Sequence, residues 1–260
     1  MKRLGYFLLF ITSAAVVAYI GVMLFPNLLI FQGEKLAYDY TYEFDNPFIE
    51  YFIETDDGEQ LNALLFKSKE SAEGIIIYFH GNADNLRRWG TYTADFTKLG
   101  YDVLVMDYRG YGKSTGTPSE QALYEDARLV WDWSRKQFDY DKWVIYGRSL
   151  GSAVASNIAV EVAPDLLVLE TPFDKITQEM PGTFLPDYLE NQFSNAAHIP
   201  QITSKIVIIH GTDDWITRLS SAEKLKPLLK ATDEFVIIPE GSHKNLRQFE
   251  QFHETLERIL

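Results

Sequence analysis

Beyond residue 70, short and wholly apolar runs alternate with longer amphipathic stretches. The apolar runs are Ile75 to Phe79, Val103 to Met106, Trp143 to Tyr146, Leu166 to Leu169, Ile206 to Ile209 and Phe235 to Ile238. Between them, helical patterns occupy residues 86–99, 120–136, 149–162, 220–230 and 246–260. Runs of four or five residues without a polar side suit strands buried on both faces, and amphipathic stretches suit the helices that cover them. Upstream, Ile49 to Thr55 and Leu61 to Lys67 flank the turn dipeptide Asp57-Gly58, which predicts an antiparallel hairpin. The pattern therefore predicts an α/β fold with an eight-stranded, mostly parallel sheet flanked by helices, the hairpin forming its antiparallel edge.

One connection is longer than a crossover requires. Residues 170–204, after the sixth strand, hold Phe173, Phe184, Tyr188, Phe193 and several prolines. Long loops at the carboxyl edge of a sheet commonly serve as binding loops. A small cap is expected here, whose aromatics either line an acyl pocket or fasten the cap to the core.

The amino terminus follows another pattern. No charged residue occurs from Leu4 to Phe31, and Leu4 to Phe25 alone would span roughly 33 Å as a helix. Lys2 and Arg3 precede this stretch, while Glu34, Asp39 and Glu43 follow it around the single Lys35. The pattern predicts an N-terminal transmembrane anchor over residues 1–31 and a globular domain over 32–260, with Leu28 to Phe31 able to lie in the membrane interface. The positive-inside rule then leaves the N-terminus cytoplasmic and the domain extracytoplasmic. A cleavable signal peptide is the alternative, since Ser13-Ala14-Ala15 and Val16-Val17-Ala18 offer small residues at suitable spacing. Apolar character running on through Ile20, Val22, Met23, Leu24 and Phe25 exceeds what a signal core needs.

Composition narrows the function. The 260 residues suffice for one large α/β domain, and a net charge of −13 argues against nucleic acid as a partner. The absence of cysteine excludes disulfides, thiolate metal sites and a cysteine nucleophile. His198 and His253 lack ligand spacing, so neither metal nor cofactor is expected.

The candidate chemistry begins at Gly147-Arg148-Ser149-Leu150-Gly151, set between a strand-like run and a helix-like run. A sharp strand-to-helix turn projects the central hydroxyl above the sheet, and glycines two residues either side relieve close backbone approaches. His210-Gly211-Thr212-Asp213-Asp214 and Gly241-Ser242-His243 each follow a further strand. Ser149, Asp214 and His243 thus stand beyond strand carboxyl ends, where open α/β sheets build their sites. Serine as nucleophile, histidine as base and aspartate as the holder of the ring form a catalytic triad. Asp213 is the competing acid, and Glu170, ending another strand, is an outside candidate. Main-chain N–H groups of Asn82 and Leu150 are the expected oxyanion hole. Phe173, Phe184 and Trp215 are the candidate substrate contacts.

Several other segments only resemble functional motifs. Gly112-Lys113-Ser114 resembles the end of a phosphate-binding loop, but Asp107 stands where its first glycine belongs. His80 and His210 read as structural. Arg148 reads as a scaffold ion pair, with contact to an anionic substrate group as the other option. Arg87, Arg88 and Arg218 read as surface residues.

Taken together, Tyr78-Phe79-His80-Gly81-Asn82-Ala83, Asp107 to Ser114, Tyr146 to Gly151, Leu169-Glu170-Thr171-Pro172-Phe173, His210 to Asp214 and Gly241-Ser242-His243 resemble the membrane-anchored serine hydrolases of the α/β-hydrolase superfamily, of the ABHD type and its bacterial relatives. The likeness covers nearly everything beyond the anchor. It implies an α/β-hydrolase sheet and a serine hydrolase acting on esters, thioesters or lipids without a cofactor, with Ser149, Asp214 and His243 matching the triad. Relatives often carry proline soon after the aspartate, whereas Ile216-Thr217-Arg218 follows here. Three functions remain in play: a membrane-tethered esterase or lipase, a peptidase or amidase using the same triad, and a non-catalytic binding protein on the same fold.

Overall fold

The computed structural model describes residues 6, 10–13, 16–17, 21, 30–69, 71–176 and 192–260. Eight strands form one sheet: β1 (Phe48–Glu54), β2 (Gln60–Phe66), β3 (Gly74–Phe79), β4 (Tyr101–Met106), β5 (Trp143–Arg148), β6 (Leu166–Glu170), β7 (Lys205–Gly211) and β8 (Glu234–Ile238). Their order is β1-β2-β4-β3-β5-β6-β7-β8. β2 pairs antiparallel with both β1 and β4, and every other pair is parallel. The hairpin is the expected antiparallel edge. In β3, Ile75, Ile77 and Phe79 enter one core while Ile76 and Tyr78 enter the other, which is why this run shows no polar side.

Helices α1 (Glu120–Gln137) and α2 (Leu150–Val162) cover the first face, placing Leu123, Ala127, Val130, Ala153, Val154 and Ile158 in its core. Helix α3 (Glu250–Ile259) covers the second face through Phe252 and Leu256. Three expected helices are shorter than their periodicity suggests. Residues 86–97 wind as α (Leu86–Trp89), 3₁₀ (Gly90–Thr93) and α again (Ala94–Thr97). There the Thr91 and Thr93 hydroxyls bond back to the Arg88 and Gly90 carbonyls, competing with the helical ladder. The stretch from Leu219 is α only to Ala222 and then 3₁₀ to Leu228, with Pro227 supplying no N–H. At the carboxyl end an extended Phe249 divides Leu246–Gln248 from α3.

Among the described residues no helix is long and apolar enough to cross a membrane, and most of the expected anchor lies outside them. Ile30 is buried, packed in the same core cluster as Tyr111 and Phe193. Of the expected cap, residues 177–191, including Phe184 and Tyr188, lie outside the described residues; its second part forms a helical turn, Asn195–His198.

Candidate active site

Ser149 sits between the last residue of β5 and the first of α2, with φ 53° and ψ −119°. A positive φ on a residue with a side chain costs about 1–3 kcal/mol and persists only where neighbours enforce it. Here Ser149 N–H donates to the Glu170 carbonyl at 2.9 Å, and the Ser149 carbonyl accepts from the Ser152 hydroxyl at 2.6 Å. The flanking glycines permit the crossing. A Cβ on Gly147 would lie 2.4 Å from the Gly151 carbonyl oxygen, and one on Gly151 only 2.0 Å from that of Phe79. The elbow therefore follows directly from the glycine spacing.

Parallel pairing of β5, β6, β7 and β8 brings the loops after β7 and β8 to the same edge. These two loops are pressed together: Asp213 N–H donates to the Gly241 carbonyl at 2.8 Å, and a Cβ on Gly211 would lie 2.1 Å from the same oxygen. The contact sets Asp214 Oδ2 2.8 Å from His243 Nδ1. Asp214 is buried, whereas Asp213 is exposed and bonded to its neighbour Thr212. Burial alone would raise the Asp214 carboxyl pKa. The hydrogen bond and charge of His243, the charge of His210 and the Thr217 hydroxyl outweigh it and hold the carboxyl below its usual range.

Asp214 Oδ1 also accepts the main-chain N–H groups of Ile216 and Thr217, each at 2.9 Å. A proline at either position would forfeit one of those donors, so Ile216-Thr217 amounts to a different way of holding the Asp214 carboxylate. Thr217 Oγ1 adds contacts at 2.9 Å to Asp214 Oδ2 and 3.1 Å to His243 Nδ1. No sequence signal marked Thr217 as part of the site.

Neither the Ser149 hydroxyl nor His243 Nε2 has a hydrogen-bond partner among the described residues, and none joins the two to each other. Catalytic hydrogen bonds often tighten only when substrate is bound. The expected oxyanion donors are similarly unspent: the main-chain N–H groups of Asn82 and Leu150 have no described acceptor. Their loops adjoin Ser149, since a Cβ on Gly81 would lie 3.4 Å from Ser149 Cβ.

The remaining candidates divide by environment. Glu170 is fully buried and occupied by guanidinium groups: Arg247 Nη1 lies 2.7 Å and Arg148 Nε 3.2 Å from its Oε1. Burial would raise its pKa, yet these two charges, with hydrogen bonds from Arg247 and Tyr146, bring it down to about 2. Its carboxylate is thus committed to arginine. Arg148 has the scaffold role expected of it, while Arg247 and the partnership itself escaped sequence reading. His80 and His210 are fully buried, with Nδ1 2.7 Å and 2.9 Å from the Gly81 and Gly211 carbonyls. Phe173 keeps 2% exposure in the same core as Leu150, whereas Trp215, next to the acid, is 77% exposed. Phe184 lies outside the described residues. No described His, Asp or Glu cluster is placed to hold a metal ion.

Residues 70–197 match the family model described as serine aminopeptidase, S33. An uncharacterized protein of Mycobacterium tuberculosis is 30% identical over 200 residues, covering 74% of this chain and 71% of that protein. The lysophosphatidylserine lipase ABHD12 of Bos taurus is 33% identical over 213 residues, covering 72% of this chain; the match spans 51% of that lipase's length. Among solved structures, an esterase of Pyrococcus furiosus superposes with TM-score 0.71 at 17% identity, covering 87% of this chain and 97% of the other, a likeness of fold. The chain belongs to the α/β-hydrolase superfamily of serine hydrolases.

Proposed function

We propose that the protein is a membrane-tethered serine hydrolase that cleaves carboxylic ester or thioester bonds in amphiphilic acyl substrates. Ser149 Oγ attacks the acyl carbonyl while His243 Nε2 takes its proton. Asp214, ionised and 2.8 Å from Nδ1, holds the ring in the tautomer that leaves Nε2 free and offsets the charge the ring acquires. The tetrahedral oxyanion is met by the N–H groups of Asn82 and Leu150. Protonation of the leaving group by His243 yields the acyl-enzyme, which water attacks in the reverse proton sequence. The observation that carries this reading is the buried Asp214 to His243 contact on the same sheet edge as a Ser149 with an uncommitted hydroxyl.

The substrate class draws on several features. Relatives named as a lipase and fold neighbours named as esterases favour acyl esters. Described helical residues within the N-terminal stretch leave apolar side chains exposed: Phe10 is 72% and Val17 69% accessible, a surface suited to lipid. The tether is also short. Ile30 lies five residues beyond Phe25, and an extended chain spans at most about 3.6 Å per residue, so the domain's entry lies within about 18 Å of the end of the apolar stretch. With the N-terminus cytoplasmic, the domain would face the extracytoplasmic leaflet.

A fluorophosphonate probe tests the chemistry. Wild type labels and Ser149→Ala does not; an unlabelled wild type leaves a binding protein on the same fold. The aminopeptidase description of the matching family model favours a second reading, amide cleavage. Aminoacyl amides assayed beside short-chain p-nitrophenyl esters separate the two, and faster amide turnover would replace the esterase reading.

A further inference from the structure

The segment immediately after the apolar stretch is built into the active site. Asn82, whose main-chain N–H is the proposed oxyanion donor, donates from its side-chain Nδ2 to the Ile30 carbonyl. Its Oδ1 accepts from Gln32 N–H at 3.1 Å and from the Tyr111 hydroxyl at 2.7 Å. Gln32 N–H also reaches the Tyr111 hydroxyl at 3.2 Å, closing a small ring of polar contacts around one amide. Beyond it, Glu34 N–H donates to the Asp84 carbonyl at 3.2 Å, the Glu34 carbonyl accepts from Gly112 N–H at 2.8 Å, and Leu36 N–H donates to the Gly112 carbonyl at 2.9 Å.

The loop so fastened needs external support. Ala83 and Asp84 are consecutive residues with φ 67° and 65°, neither a glycine. Such conformations persist only when surrounding contacts over-determine them. Residues 33–34 supply such contacts to Asp84, Trp89 Nε1–H donates to the Ala83 carbonyl at 3.0 Å, and residues 30–32 with Tyr111 hold the preceding Asn82. The approach is close: a Cβ on Gly33 would lie 2.3 Å from the Tyr111 ring.

We infer that residues 30–36 and Tyr111 form a positioning clamp that holds the Asn82 side-chain amide and thereby aims its main-chain N–H at the oxyanion. The inference rests on the assignment of Asn82 to the oxyanion hole. It makes the entry segment a working part of the catalytic machinery rather than a linker. Tyr111 and Gln32 act through Asn82 and touch no substrate.

Steady-state kinetics of the full chain on a soluble p-nitrophenyl ester test the clamp, with a trifluoromethyl ketone as a probe of oxyanion binding. Removing an oxyanion donor costs on the order of 10²–10³-fold in kcat, which bounds the effect. Tyr111→Phe is expected to lower kcat about 10-fold and Gly33→Ala about 10²-fold, with KM within a factor of about two, since only transition-state binding is lost. Ketone affinity should fall in parallel with kcat. In an Asn82→Ala background Tyr111→Phe should add little, because the shared partner is gone. Unchanged kcat in Tyr111→Phe and Gly33→Ala overturns the clamp while leaving the triad standing. Additive losses in the double variant, or losses confined to melting temperature, overturn it as well. A wild type that neither labels with fluorophosphonate nor turns over the ester removes the hydrolase reading and the clamp together.

Discussion

Arg148 donates from Nη2 to the main-chain carbonyl of His243 at 2.6 Å, so the residue before the proposed nucleophile holds the backbone of the proposed base. The same guanidinium faces Glu170 across the β5–β6 pair, where Arg148 and Glu170 are register partners. Arg247 grips Glu170 at 2.7 Å and 3.1 Å, and the Tyr146 hydroxyl donates to its Oε2 at 2.7 Å. Arg148 also lies over the Tyr92 ring at 4.8 Å. One buried carboxylate therefore ties the elbow, the end of β6 and the segment after His243 into a single unit.

Removing that carboxylate's charge is the first prediction. Glu170→Gln leaves two guanidinium groups without their shared counter-charge. Breaking a buried ion pair by removing one partner costs about 3–5 kcal/mol, whereas replacing whole pairs by apolar groups can be neutral. Urea unfolding should show a loss of about that size, and kcat should fall because Arg148, which holds the His243 backbone, loses the carboxylate it faces. Unaltered stability would mean that Glu170 is not what neutralises Arg148 and Arg247.

The identity of the acid is tested by adjacent substitutions. Asp214→Asn is expected to lower kcat about 10⁴-fold, since the imidazole then adopts the wrong tautomer. Asp213→Ala should leave kcat within a few-fold, because its carboxylate is exposed and reaches only Thr212. Thr217→Val removes a hydroxyl 2.9 Å from Asp214 Oδ2 and should cost roughly 10-fold. A larger loss at Asp213 than at Asp214 would reassign the acid.

What the sequence disclosed tracks how local the physics is. Strands such as β3 and β7 were legible because burial on both faces leaves no polar alternation to mislead. The elbow was legible because Gly147 and Gly151 answer to contacts within a few residues and one neighbouring strand. Residues 86–97 read as a single helix because periodicity does not register hydroxyls that compete for carbonyls, as Thr91 and Thr93 do. The Glu170 network and the Asn82 clamp were illegible for another reason. Their partners lie 22 to 79 residues apart, as in Arg148 with Glu170 and Gln32 with Tyr111, and no spacing rule links them. Ile30 was assigned to the anchor on apolarity alone, though the same property also suits a core.

Trp215 offers a test of the substrate class. It follows Asp214, the proposed acid, and is 77% exposed, a large ring beside the proposed site. Amphipathic aromatic rings favour the headgroup region of a bilayer. Trp215→Ala should lower turnover of a long-chain ester embedded in vesicles about 5-fold or more, at the level of affinity gained from a buried aromatic face. Turnover of a short-chain soluble ester should barely change. Equal effects on both substrates would make Trp215 a pocket wall and remove one support for an amphiphilic substrate.

Half-buried His198 and fully buried Glu170, with opposite charge behaviour, both contribute to the pH dependence of stability. His198 lies 2.9 Å from the Ser156 hydroxyl through Nδ1 and 3.2 Å from Asn157 Nδ2 through Nε2, and burial lowers its pKa to about 4. The unfolded chain binds that proton near pH 6.5, so stability from the neutral ring is full above about pH 6.5 and declines as pH falls toward 4, by up to about 3 kcal/mol. Glu170, held at about 2, behaves as a depressed carboxylate. Its contribution is full above the unfolded value of about 4.3 and is lost as pH falls toward 2. Urea unfolding across pH 7.5 to 3 should therefore show two successive declines. His198→Gln should shrink the first, between about pH 6.5 and 4, leaving the share of His210, whose pKa burial also lowers, and should leave the second. If the upper decline is undiminished in His198→Gln, protonation of this ring does not contribute to it.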